Sequence, residues 1–171
     1  MIKNWWLLAL SGVLDAMYAA LNFFTSDPVR MSTVERMGLL ALAAGACTVA
    51  AGLWSFKRGA SWLLVLNGLA CTTLGLLLAF WRGPLAFRTI ALLIVVMALS
   101  AGIYELADRR RRLLSAAGLA SIGFALAFLA FVFHWIKLDP SSPHQTLFWL
   151  GSYFAFTAIC MLWLAQNKAP L

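Results

Sequence analysis

Charge is what this sequence has least of. Only 11% of its 171 residues are charged, thirteen basic and six acidic, against 63% hydrophobic, and mean hydropathy is +0.88. A water-soluble domain of this length would cover one core with charge; so few charges, clustered between long apolar runs, leave the rest to lipid. Cysteine is scarce as well. Cys47, Cys71 and Cys160 lie inside apolar segments, with no CxxC spacing and no histidine beside them, so they read as small core residues and not as redox or metal ligands. None of the five prolines interrupts an expected span, which argues against the broken helices of many transporters. There is no GxGxxG, no P-loop, no HExxH and no GxSxG elbow, so no motif-bearing enzyme class is supported. The reading is of a chain that is not an enzyme, with no catalytic, cofactor or metal residue assigned. The net charge of +7 does not point to nucleic acid, because the basic residues fall at the ends of apolar segments and form no stripe.

What is present is a succession of apolar runs near the roughly 20 residues that cross a bilayer. Bounded by charge, proline and turn residues, they predict helices at 4–24, 33–56, 61–81, 85–107, 113–136 and 146–165. The fold class is therefore all-α: a polytopic membrane protein with six transmembrane helices in about three repeated helical hairpins, residues 1–171 forming one transmembrane domain. Short connections make successive helices antiparallel neighbours. The opening run, Trp5 to Phe24, is too long for a signal peptide and contains Asp15, so it reads as a retained first helix. With six spans, Lys3, Lys57, Arg58, Arg109 to Arg112 and Lys168 share one side, and Arg30, Arg36, Arg82, Arg88 and Lys137 the other. The excess of positive charge places both termini in the cytoplasm.

An internal repeat runs through the chain. Trp6-Leu7-Leu8-Ala9-Leu10-Ser11-Gly12 recurs as Trp62-Leu63-Leu64-Val65-Leu66-Asn67-Gly68, with a weaker third copy at Leu113-Leu114-Ser115-Ala116-Ala117-Gly118. Ala51-Gly52-Leu53-Trp54 recurs as Ala101-Gly102-Ile103-Tyr104. Gly38, Gly45 and Gly52 are seven apart, as are Gly68 and Gly75, a spacing that lets helix backbones approach in lipid. Trp5, Trp6, Trp54, Trp62, Trp81 and Trp135 fall near expected span ends, where indoles form an interfacial belt.

The WWLLxLxG opening, its WLLxLxG echo in the third helix and the AGIYELADRRRR end of the fourth resemble the HdeD-like acid-resistance membrane proteins of bacteria. The likeness covers most of the chain and rests on apolar and glycine motifs. It implies six transmembrane helices in the bacterial inner membrane and a link to acid stress, and it carries no catalytic or binding residues to transfer. Asp15 stands where a small or apolar residue is usual, and the third repeat diverges.

Asp15 is the most informative single residue, because a carboxylate at bilayer depth costs several kcal/mol unless paired or wetted. Asn4, Leu8, Ser11, Asp15, Tyr18 and Asn22 follow the four- and three-residue steps of one helix face, and Asn67 and Cys71 hold the repeat positions of Ser11 and Asp15. Pseudosymmetric packing would bring Asn67 to Asp15, giving a candidate intramembrane polar site of Asp15, Ser11, Tyr18 and Asn67. Two readings stand: a proton or cation site, or a hydrogen-bonded carboxyl acting as glue between helices. Glu105 and Asp108 are spaced to pair with Arg109 and Arg112 in an interfacial charge cluster, and Arg109, Arg110, Arg111 and Arg112 together form a candidate lipid or partner patch. His134 and His144 fall on the expected outer side, where imidazoles titrate in response to external pH. The leading expectation is a non-enzymatic inner-membrane protein acting in stress protection or as an accessory or assembly subunit. Its partners would be membrane lipids and other membrane proteins or a second copy of itself. The alternative is a small proton- or cation-coupled transporter or channel that uses Asp15.

Overall fold

In the computed structural model the chain is all-helical, and the structure describes residues 5–25, 30–55, 61–80, 87–107, 112–132 and 143–168. The helices are α1 (Trp5–Phe24), α2 (Met31–Trp54), α3 (Trp62–Phe80), α4 (Phe87–Ala107), α5 (Arg112–Val132) and α6 (Pro143–Lys168). All except α5 are long and apolar enough to cross a membrane; in α5 the described apolar stretch is the shorter Ala117–Ala130. The start of α6 differs from expectation. Pro143, which reads as a turn residue, is instead the first helical residue, where its missing N–H costs no helix bond and its fixed φ suits the first turn. α2 likewise begins two residues early, because the Arg30 carbonyl accepts from the N–H groups of Thr33 (2.8 Å) and Val34 (3.0 Å).

The helices close into a ring. The widest interfaces are α2 on α3, α1 on α6 and α4 on α5, with smaller ones between α1 and α2 and between α3 and α4. α5 meets α6 through aromatic rings, Phe124 with Tyr153 at 5.6 Å and Phe128 with Trp149 at 6.2 Å between centroids. Sequence proximity alone favours the successive hairpins α1–α2 and α3–α4, yet the tightest packing joins each even helix to the odd one after it, and α6 to α1. Glycine is the reason. A Cβ added to Gly45 would lie 2.7 Å from the Gly68 carbonyl oxygen, and one added to Gly68 would lie 2.7 Å from that of Gly45. Gly38 and Gly75 face each other in the same reciprocal way. Lipid gives no hydrophobic drive between spans, so dispersion and Cα–H···O contacts at this range hold the pair together.

The same contact appears at all three wide interfaces. The Cβ of Gly68 would meet Gly45 O and Val49, that of Gly118 would meet Gly102 O and Leu106, and that of Gly12 would meet Ala158 O and Leu162. In each case the odd-helix glycine rests on a carbonyl and on the side chain four residues further along. By these contacts Gly102 is the counterpart of Gly45, one heptad before the Gly52 with which its sequence context aligns it.

Side chains from all six helices fill the axis. The larger core includes Tyr18, Met37, Leu74, Ile94, Phe128 and Phe154. A second cluster, with Leu8, Leu64, Tyr104 and Leu164, sits toward the N-terminal end of α1. The outer surface is apolar on every helix, with Leu10, Leu39, Leu69, Leu92, Leu126 and Ile159 exposed. Trp6, Trp54 and Trp62 are exposed at one end of the bundle, and Phe24, Phe80 and Phe148 at the other. Trp81 and Trp135 lie outside the described residues. From Trp6 to Phe24 is about 27 Å at 1.5 Å per residue, close to the thickness of a hydrocarbon core.

Gly68→Leu should destabilise the protein by about 1–3 kcal/mol through overpacking against α2. Gly123→Ala, with nothing within 4 Å of the added carbon, should instead be neutral or stabilising, by up to about 1 kcal/mol, because alanine favours the helix interior. Thermal unfolding in mild detergent checks both.

A buried polar layer centred on Asp15

The helical spacing of Ser11, Asp15, Tyr18 and Asn22 turns all four inward, each no more than 6% exposed. Asn4, at the head of the same stripe, lies outside the described residues. Each member finds a different neighbour. Ser11 Oγ lies 2.8 Å from Thr48 Oγ1 and 3.2 Å from the Ala44 carbonyl oxygen, to which Thr48 also donates at 3.0 Å. Asn22 Nδ2 donates to the Leu147 carbonyl at 2.7 Å. Its amide sits where a side chain at Gly151 would otherwise project, 2.7 Å from the position of the missing Cβ. Tyr18 stacks on Phe154 with centroids 4.0 Å apart.

The Asp15 carboxyl is hydrogen-bonded to Thr157 on α6. Asn67 does not join it: its Nδ2 donates to the Met97 carbonyl at 2.7 Å, across to α4. The repeat explains why. Ser11 bonds the backbone of α2 and Asn67 that of α4, so equivalent residues each reach the next helix and not each other. Cys71, the counterpart of Asp15, donates its thiol to the Ala41 carbonyl at 3.2 Å. Thr157 was not legible as a partner from α1, but α6 carries its own signal. Tyr153, Thr157 and Cys160 follow the same four- and three-residue steps as the stripe on α1.

Thr157 has one hydroxyl proton and two calls on it. Its Oγ1 lies 3.0 Å from the Phe154 carbonyl oxygen. If the proton goes there, Thr157 can only accept from Asp15, which must then be a carboxylic acid; if it turns to Asp15, a carboxylate is served. One hydroxyl rotation thus accommodates either form. Asp15 Oδ1, Tyr18 Oη and Tyr153 Oη have no hydrogen-bond partner within the described protein, although buried polar atoms are ordinarily paired. Among the described residues the basic positions, Arg30, Arg36, Arg88, Arg112 and Lys168, all lie toward helix ends, away from the depth of Asp15.

Glu105, expected in an interfacial charge cluster whose other members Asp108 and Arg109 lie outside the described residues, is buried. It is 4% exposed, packed beside Gly118, and its Oε2 has no hydrogen-bond partner among the described residues. Asp108, Arg109, Arg110 and Arg111, like His134, lie outside the described residues, while Arg112 opens α5 and His144 falls in the first turn of α6. No group of His, Cys, Asp and Glu among the described residues has the arrangement to hold a metal ion. Compared with protein-family models, curated proteins and solved structures, the chain matches none.

The Ser11–Thr48 contact staples α1 to α2. A double-mutant cycle of Ser11→Ala and Thr48→Val, followed by unfolding in detergent, should return a coupling of about 0.6 kcal/mol, the average for hydrogen bonds between membrane helices.

Proposed function

We propose that this chain is a non-enzymatic, HdeD-like protein of the bacterial inner membrane, with six spans and both termini in the cytoplasm, acting in stress protection or as an accessory subunit packed against other membrane proteins. The observation that carries this reading is how the interior polar groups are used. Ser11, Asn22, Asn67 and Cys71 each bond a backbone carbonyl on a neighbouring helix, which stiffens the bundle, while the outer surface offers apolar side chains to lipid or to a partner. α5 counts as the sixth span on this reading because Leu119 and Leu126 are exposed like the outward leucines of its neighbours. The repeated glycine contact at α2–α3, α4–α5 and α6–α1 supports three copies of one hairpin arranged about a pseudo-threefold axis. The Arg109–Arg112 run serves as the patch for anionic lipid or partner.

Purification from source membranes in mild detergent, followed by intact-mass analysis, tests the accessory role. A stoichiometric second protein is the expected result; a lone chain or a homo-oligomer removes that role.

A second reading, of a proton or cation site at Asp15, draws on a buried carboxyl whose Oδ1 has no hydrogen-bond partner among the described residues. In proteoliposomes, Asp15→Asn should abolish pH-driven flux under this reading while leaving the purified assembly intact. Equal flux in parent and variant removes it.

A further inference from the structure

The three hairpins of the repeat are not closed alike. Gly12, Gly68 and Gly118 make the same contact in the three copies, so Ser11, Asn67 and Ala117, each one residue before, are equivalent positions. Ser11 reaches across α1–α2 to the Ala44 carbonyl and Thr48, and Asn67 reaches across α3–α4 to the Met97 carbonyl. The methyl of Ala117 can make no such bond. Six and ten residues beyond the same glycines, the first copy carries Tyr18 and Asn22, the second Leu74 and Leu78, and the third Phe124 and Phe128. These two rings meet the rings of α6. Phe124 lies 5.6 Å from Tyr153 and 6.1 Å from Phe156, and Phe128 lies 6.2 Å from Trp149, between centroids.

With rings between them the two backbones stay apart. α1 and α2, like α3 and α4, pack backbone to backbone, whereas among the described residues α5 and α6 have no interface of that kind. No described glycine draws them together either: Gly118 rests on α4, Gly151 receives the Asn22 amide from α1, and a Cβ on Gly123 would meet nothing. Phe124, Trp149 and Phe156 are partly exposed, so the ring seam reaches the lipid-facing surface.

We propose that the α5–α6 seam is a lateral gate, opened when α5, carried with α4, parts from α6. The gate stands whether Asp15 is glue between helices or a proton site. Parting α1 from α2, or α3 from α4, breaks hydrogen bonds to backbone carbonyls. Parting α2 from α3, α4 from α5 or α6 from α1 breaks the close approach of a glycine to a neighbouring backbone. Parting α5 from α6 exchanges ring against ring for ring against lipid, and lipid supplies no hydrophobic drive to hold the two helices together. Ring pairs keep only a modest geometric preference for each other beyond the area they bury. Tyr153 stands at the inner edge of this seam. One turn further along α6 is Thr157, hydrogen-bonded to Asp15. The polar layer is thereby reached sideways, from the lipid.

Distances between pairs of nitroxide labels in lipid, read by pulsed electron resonance on the full chain, test the gate. Leu119 and Ile159 face lipid on the two sides of the seam; Met17 and Leu39 flank the stapled α1–α2 seam, and Ile103 with Leu119 spans α4–α5. The labelled chains carry Cys47→Ala, Cys160→Ala and Cys71→Ser, the last keeping a donor for the Ala41 carbonyl. The Leu119/Ile159 pair should give two distances, and the Met17/Leu39 and Ile103/Leu119 pairs one each. Giving the third hairpin the residues of the second, by Ala117→Asn with Phe124→Leu and Phe128→Leu, should remove the longer distance. Ala117→Asn alone should lower its population about threefold, the worth of an average hydrogen bond between membrane helices. A single distance for Leu119/Ile159 overturns the gate, and so does an equal spread in all three pairs, which marks a bundle that is loose throughout. Persistence of the longer distance at its parental population in both variants overturns its assignment to these positions.

Discussion

Two α-helices in lipid gain little from hiding apolar surface, because the lipid tails are as apolar as leucine; they must instead fit each other. In this protein the fit is made where backbone meets backbone, at Gly45 and Gly68, Gly38 and Gly75, Gly102 and Gly118. Everything else in the bundle depends on that approach. It brings α2 and α3 close enough for the Cys71 thiol to reach the Ala41 carbonyl, and the like contact of Gly12 with Ala158 brings α6 close enough to α1 for Asp15 to meet Thr157. A methyl group at any of these glycines would press on a backbone atom that has no rotamer to escape into.

The interior follows a second constraint, that a buried polar group must find a partner. Backbone carbonyls supply most of the partners, since each has a lone pair left after its helix bond. Ser11, Asn22, Asn67 and Cys71 all use one. Asp15 stands apart, with Thr157 beside one oxygen and no partner for Oδ1 among the described residues. The structural and functional readings of this carboxyl share the same geometry: the bond to Thr157 joins two helices, and the other oxygen remains open to chemistry.

Much of this was legible in the sequence, for reasons that can be named. Six helices followed from run length and punctuation, and the inward face of α1 from the spacing of Ser11, Asp15, Tyr18 and Asn22. The glycine spacing on α2 and α3 forecast their close approach. Partners across helices were not legible, because they depend on the order of helices around the ring. The repeat allows Asn67 to approach Asp15, yet a rotational repeat turns equivalent residues toward different neighbours. The burial of Glu105 does not follow from its proximity to the arginine run; the close α4–α5 contact at Gly102 and Gly118 covers that turn. Pro143 reads as part of a turn and is instead the first residue of α6.

The tryptophans at one end and phenylalanines at the other have a consequence for the surrounding membrane. Anchored at both rims and stapled across its middle, the bundle cannot lengthen, and its helices cannot tilt independently to suit the host lipid. In a bilayer thicker than the rim-to-rim distance of about 27 Å, the lipid itself has to thin around the protein, at fractions of a kcal/mol per Å of mismatch. That deformation is shared when two such bodies stand side by side, so bilayer thickness by itself draws them together.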